Sequence, residues 1–378
     1  MQQLFRRTRG LVYVLALGSL LTPTWANCPA VGAIRWDAWF GEKGMPGKAV
    51  EKTLGPERWH GRLPTCAQVL GPDRVCITCD TPDQMAQEMK AAVEGGIDFW
   101  AFVTYPEDDP MSSGLKSYLA STAKPTPSFA AISEFVRWGG KDQYRPIVDR
   151  YIRMMADKRY QRTEDGRPLF FLGFITEASI KARFGDREGF AAAVQDFRER
   201  ALAAGVGNPF IVVLEGWLEK AQSYVADFKL DGISSYMLAD GKVQRGTYKQ
   251  LSDYVEQYWT KIGKSNVAYV PTVMTGWDRR PRAQNPVPWG AGAPPIENAM
   301  EKYYAPPTPA ELQAHLAAAM KYSAQQSAPG QPKAVLIYAW NEFDEGGWLA
   351  PTRGEGAARL AAVRRAVSIV CPAPAKGR

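Results

Sequence analysis

The chain has 378 residues, 46% of them hydrophobic and 22% charged, which excludes a disordered or fibrous protein. Its net charge of +7 is spread along the chain rather than gathered in a basic tract, so no nucleic-acid partner is expected. With only two histidines, His60 and His315, a histidine-built metal centre is not expected either, and no cofactor is called for.

Arg6, Arg7 and Arg9 precede an apolar run from Leu11 to Leu21, too short for the roughly 20 residues of a membrane helix. With the small residue Ala26 behind it, the segment reads as a secretory signal over residues 1–26, leaving a single domain over residues 27–378. The alternative is an uncleaved N-terminal anchor. No other stretch approaches a membrane span, so the expected destination is the periplasm or the exterior. Five cysteines, Cys28, Cys66, Cys76, Cys79 and Cys371, are then disulfide candidates. In a barrel the first strand and the last helix both have an end at the bottom. Cys28 and Cys371 are therefore expected to bridge, with Cys66 joined to Cys76 or Cys79.

From residue 33 onward, short apolar runs alternate with amphipathic segments. Strands are expected at residues 33–40, 97–105, 129–135, 168–174, 209–214, 232–237, 267–274 and 334–340. Helices are expected at 82–94, 143–158, 188–204, 218–228, 248–262, 309–324 and 355–370, the first capped by Thr81. About eight such alternations without hairpins predict an α/β fold, a (β/α)8 barrel, over an open doubly wound sheet. Two long loops, residues 41–80 and 277–308, leave strand C-termini, the face where barrel enzymes keep their sites.

The last predicted strand ends in a burst of acids and rings, Trp340-Asn341-Glu342-Phe343-Asp344-Glu345-Gly346-Gly347-Trp348. Two carboxyl groups in one pocket suit sugar chemistry, because crowding drives their pKa values apart and leaves one as acid, the other as base or nucleophile. Glu342 and Glu345 are the catalytic candidates. Other strand ends add rings and acids: Trp36 and Asp37, Tyr105, Glu215 and Trp217, Tyr236, Trp277 and Asp278. Together with Trp340, Asn341 and Trp348 these are the candidate contacts to a polysaccharide or oligosaccharide. No Gly-x-Ser-x-Gly elbow and no phosphate-binding loop occurs, which argues against a serine hydrolase or a nucleotide triphosphatase.

The 340–346 run resembles the hallmark of the glycoside hydrolase family 99-like (WbsX-like) barrels, related to family 71 and 99 glycosidases. Residues 96–102, 166–170, 231–236 and 276–282 resemble further strands of that family. The resemblance implies a (β/α)8 fold and a retaining glycoside hydrolase in which Glu342 acts on the sugar's 2-hydroxyl and Glu345 is the acid/base. It also admits a glycosyltransferase-like protein of envelope polysaccharide synthesis, or a catalytically silent carbohydrate-binding barrel. Phe343-Asp344 and the cysteine-bearing loop depart from the family pattern.

Overall fold

The computed structural model describes residues 28–40, 44–290, 296–326 and 330–372; the expected signal segment lies outside them. The backbone alternates strand and helix: β1 (Ala30–Arg35), β4 (Phe99–Val103), β5 (Ser128–Glu134), β6 (Leu169–Gly173), β7 (Phe210–Leu214), β8 (Gly232–Ser234), β9 (Ala268–Tyr269), β10 (Thr272–Met274) and β11 (Ala334–Tyr338) form one parallel sheet. β9 pairs with β8 and β10 with β11, while β1 bridges β11 and β4. β9 and β10 are two halves of one strand. They are parted at Val270-Pro271, where proline has no N–H to give to the ladder. The Val270 N–H still bonds the Ile233 carbonyl at 2.9 Å, and the Pro271 carbonyl accepts from Leu336 at 2.9 Å. The sheet therefore closes on itself as the expected eight-stranded barrel.

The strands are apolar on both faces because both are covered. Helices α2 (Pro82–Glu94), α3 (Ser113–Ala120), α4 (Tyr144–Met155), α5 (Glu177–Phe184), α6 (Arg187–Ala203), α7 (Leu218–Phe228), α8 (Tyr248–Ile262), α10 (Pro309–Gln325) and α11 (Ala358–Val370) lie along the chain between and after them. α2 starts where Thr81 caps the Gln84 N–H at 3.1 Å, and α8 and α10 open with full capping boxes. Inside the barrel, Gly32 makes room for Phe99: a Cβ there would stand 2.1 Å from the Phe99 ring.

Three expectations are corrected. α3 and α5 carry too short an amphipathic pattern to stand out in the sequence. The segment after β1 is no plain loop. It holds α1 (Met45–Thr53), a 3-10 turn (Glu57–Arg62) and an antiparallel hairpin, β2 (Ala67–Gly71) with β3 (Arg74–Ile77). The strand expected at 33–40 ends at Arg35, because the chain must turn there for Trp36 to reach the barrel mouth.

Cys28 and Cys371 are disulfide-bonded across 343 residues, and Cys66 is bonded to Cys79. The first bond ties the entry of β1 to the end of α11. In the chain-entropy account, closing so long a loop stabilises by on the order of 5 kcal/mol. Cys371→Ser is expected to lose much of that in urea unfolding. Non-reducing peptide maps of the parent protein should show both bonds; unlinked Cys28 and Cys371 peptides would overturn the pairing.

Candidate active site

Beyond β11 the Tyr338–Ala339 peptide is cis. The chain then forms a small ribbon, β12 (Asn341–Glu342) paired with β13 (Gly347–Trp348), joined by one 3-10 turn (Phe343–Glu345). Close backbone packing fixes that turn. Gly276 and Gly346 have φ of 147° and 85°, and a Cβ on Gly276 would meet the Gly346 carbonyl at 2.2 Å. The Asp278 N–H bonds the Glu345 carbonyl at 2.7 Å. The end of β10 and the end of β11 are thus locked together at the C-terminal mouth.

Glu342 and Glu345 both point into this mouth and are 3% and 8% exposed. Arg282, on the short helix α9 (Arg280–Gln284), reaches both. Its guanidinium grips Asp344 with two bonds, 2.7 and 2.9 Å, contacts Glu345 Oε1, and lies 3.6 Å from Glu342 Oε2. Burial alone would lower the Arg282 pKa; the charges of Asp344, Glu345 and Glu342 outweigh it and raise it well above the ordinary value. Thr53 of α1 donates a further bond to Asp344 at 3.1 Å.

The two glutamates differ in surroundings. Glu345 Oε1 also pairs with Arg279 at 3.0 Å, and Oε2 accepts from the Tyr338 hydroxyl. Glu342 Oε1 accepts from the Tyr236 hydroxyl at 2.8 Å, but its buried Oε2 has no hydrogen bond among the described residues. Burial first, then the Glu345 charge, push the Glu342 pKa up to about 8. At neutral pH, Glu342 therefore holds a proton. This has a consequence for stability. The unfolded chain releases that proton near the ordinary value of 4.5, the folded chain only near 8. The stability Glu342 contributes is complete below about 4.5 and is lost as pH rises through 8. Glu342→Gln should gain on the parent protein in melting temperature as pH rises across that window. A difference that does not change with pH would overturn this assignment.

The structure sorts the other expected residues. Trp36 (its Nε1 donating to the Tyr105 hydroxyl at 2.6 Å), Tyr105, Tyr236 and Trp277 surround the carboxyl pair: Trp36 lies 5.6 Å from the Arg282 guanidinium, and Trp277 and Tyr236 both pack on Tyr338. Asp37, Trp340 and Asn341 do not face the pair. Asp37 pairs with Arg35 at 2.8 Å, and burial pushes its pKa up to about 6. Trp340 is fully buried between Trp100 and Glu88 of α2, and Asn341 accepts the Trp36 N–H at 2.9 Å, tying the first strand to the last. These three line a cavity of about 240 Å³ behind the barrel wall. Trp348 is covered by Arg359, 3.6 Å from its ring. Asp278 holds Arg62 and Arg280 rather than an open cleft. Glu215 pairs with Lys220 at 2.7 Å, and Trp217 stands 74% exposed beyond it.

Arg282, Asp344, Arg279 and Tyr338 were missed as site residues. The available signal was the departure at Phe343-Asp344 and the arginine-rich run at 279–282, which the fold joins through the Arg282–Asp344 ion pair. Trp289, 42% exposed and 5.7 Å from Trp36, is a further ring at the mouth. Among the described residues no group of acids, histidines and cysteines could hold a metal ion.

A closed (β/α)8 barrel with a buried carboxyl pair at its C-terminal mouth is the architecture on which carbohydrate-active barrels are built. A family model described as Glycosyltransferase WbsX matches residues 137–363, more than half of the chain, and the chain belongs to that family. Two solved structures of the GH99 endo-alpha-mannosidase from Bacteroides thetaiotaomicron are similar. One, in complex with bis-tris-propane, is 16% identical with a TM-score of 0.53 and covers 90% of this chain and 95% of that one. The other is 14% identical with a TM-score of 0.55, covering 90% and 96%. At these identities the likeness is one of fold. No curated protein matches the chain.

Proposed function

We propose that this protein is an exported, retaining glycoside hydrolase that cleaves a polysaccharide through Glu342 and Glu345. The observation that carries the reading is the unequal pair: Glu342, which burial pushes up so that it holds a proton, and Glu345, gripped by Arg279, Arg282 and the Tyr338 hydroxyl, both within reach of one guanidinium. Such a division of roles is what glycoside hydrolysis needs, and gathering both groups on one arginine favours the short spacing of retaining enzymes over the wider, water-admitting one. Because burial holds a proton on Glu342, we assign Glu342 as the acid and Glu345 as its nucleophilic partner, the reverse of the order implied by the motif. In the first step Glu342 gives its proton to the leaving oxygen as the glycosidic bond breaks, and a Glu345 oxygen bonds the anomeric carbon to form a glycosyl-enzyme. In the second, Glu342 takes a proton from water as the water oxygen bonds the anomeric carbon and the bond to Glu345 breaks, releasing the sugar with its configuration retained.

The family description favours a second reading, sugar transfer during envelope polysaccharide synthesis. Two disulfide bonds support an oxidising compartment, and among the described residues no helix is long and apolar enough to cross a membrane. Nucleotide-sugar donors are cytosolic, so hydrolysis is preferred. The test is to incubate the protein with a panel of bacterial and fungal polysaccharides, and in parallel with nucleotide sugars and glycan acceptors. New reducing ends that depend on Glu345 support the hydrolase; extended acceptors support transfer; neither product supports a silent binder.

A further inference from the structure

We propose that Phe174 and Trp217 form a stacking platform for the sugar rings of a polymeric substrate, on the side of the mouth beyond Tyr236. The proposal rests on reading this face as a glycan cleft and extends it, because it makes the substrate a chain of at least three sugars rather than a disaccharide. Phe174 directly follows β6. It is 49% exposed, yet its backbone sits at φ 60°, in the left-handed region that a bulky residue enters only at a cost in free energy. Packing alone gives no reason to bear that cost, since half of the side chain faces solvent. The ring packs against Tyr236 at 5.4 Å, and Tyr236 is the hydroxyl bonded to Glu342. Phe174 is thus one ring away from the reacting carboxyl.

The neighbouring strand is followed, three residues on, by a second exposed ring. Gly173 pairs with Leu214, so the residues after β6 and β7 leave the barrel side by side, about 4.8 Å apart in the sheet. Trp217 follows β7 and is the most exposed large apolar side chain among the described residues; its N–H is held by Glu215 Oε1 at 3.1 Å. Two exposed aromatic side chains after adjacent strands, one of them packed on Glu342's partner Tyr236, suit the C–H faces of successive sugars, with the bond to be cut lying over the carboxyl pair.

The experiment uses the full chain carrying Glu345→Gln to stop turnover, in affinity electrophoresis through gels of yeast mannan, dextran, xylan and alginate. At least one polymer is expected to retard the protein. Phe174→Gly and Trp217→Ala should each weaken that binding by about two- to tenfold. Melting temperatures should hold, because glycine accepts the left-handed backbone and Trp217 is exposed. Phe174→Tyr, which keeps the ring, should bind like the parent. Affinity should rise from disaccharide to tetrasaccharide of the same polymer, and the double variant should lose that rise. Unchanged binding by both variants, or no retardation by any of the four polymers, overturns the platform. Hydrolysis by the otherwise native chain that ignores both rings sinks the platform and spares the hydrolase. Ring-dependent binding without hydrolysis does the opposite.

Discussion

Glu342→Gln should cleave the natural glycan about 10²- to 10⁴-fold more slowly than the parent, yet form the glycosylated state from an aryl glycoside with a good leaving group at nearly the parent rate. The amide keeps a group for the Tyr236 hydroxyl to bond but has no proton to give to the leaving oxygen. An activated leaving group departs without it. The second step still lacks its base, so product release should be slow and should recover when azide, which needs no deprotonation, replaces water. Glu345→Gln should be severe on both substrates, since no leaving group compensates for a lost negative charge held by Arg282 and Arg279. The reverse pattern would return the acid role to Glu345, and two normal variants would place the site elsewhere.

Arg282→Met should destabilise the fold by about 3–5 kcal/mol at neutral pH, because it strands buried carboxyl groups without their cation. Asp344 is fully buried and would keep only Thr53 as a side-chain partner among those described here. Protonation relieves a buried carboxylate left without its cation, so the variant should be most stable in acid and lose stability as pH increases. Arg282→Lys should recover little, since one ammonium cannot reproduce the paired bonds to Asp344. Adding Asp344→Leu to Arg282→Met should restore part of the loss, because removing both partners leaves no stranded charge. Urea titrations at several pH values measure all of this; equal losses across pH, or single losses that simply add, would overturn the account.

Arg282 also marks the limit of local reading. It lies 62 and 63 residues before the two acids it grips, on a helix of five residues with no period to betray its direction. The loop after β1 is similar. Its cysteines were legible, but not that Thr53 reaches Asp344 and Arg62 reaches Asp278, so that the segment braces the mouth. Cys66 had two possible partners, and only the hairpin register, which sets Cys76 opposite Gln68, leaves Cys79 to bridge it.

By itself the sequence determined the barrel, the bond between Cys28 and Cys371 and the place of Glu342 and Glu345. The barrel and the two glutamates rest on signals carried by adjacent residues, namely apolar runs long enough to be buried on both faces, helix periodicity with caps, and acids set directly behind a core strand; the disulfide followed from where a barrel puts its first strand and last helix. Tertiary structure decided which way each side chain faces and which carboxyl holds the proton. Trp340 and Asn341 directly precede Glu342 in the chain, yet Trp340 packs outward on Trp100 and Asn341 ties Trp36, which only the path of the chain beyond β11 settles. Glu342 holds the proton because the fold buries it first and sets Glu345 beside it second, while Arg279 and Arg282 from one short segment and Tyr338 from the strand behind converge on Glu345.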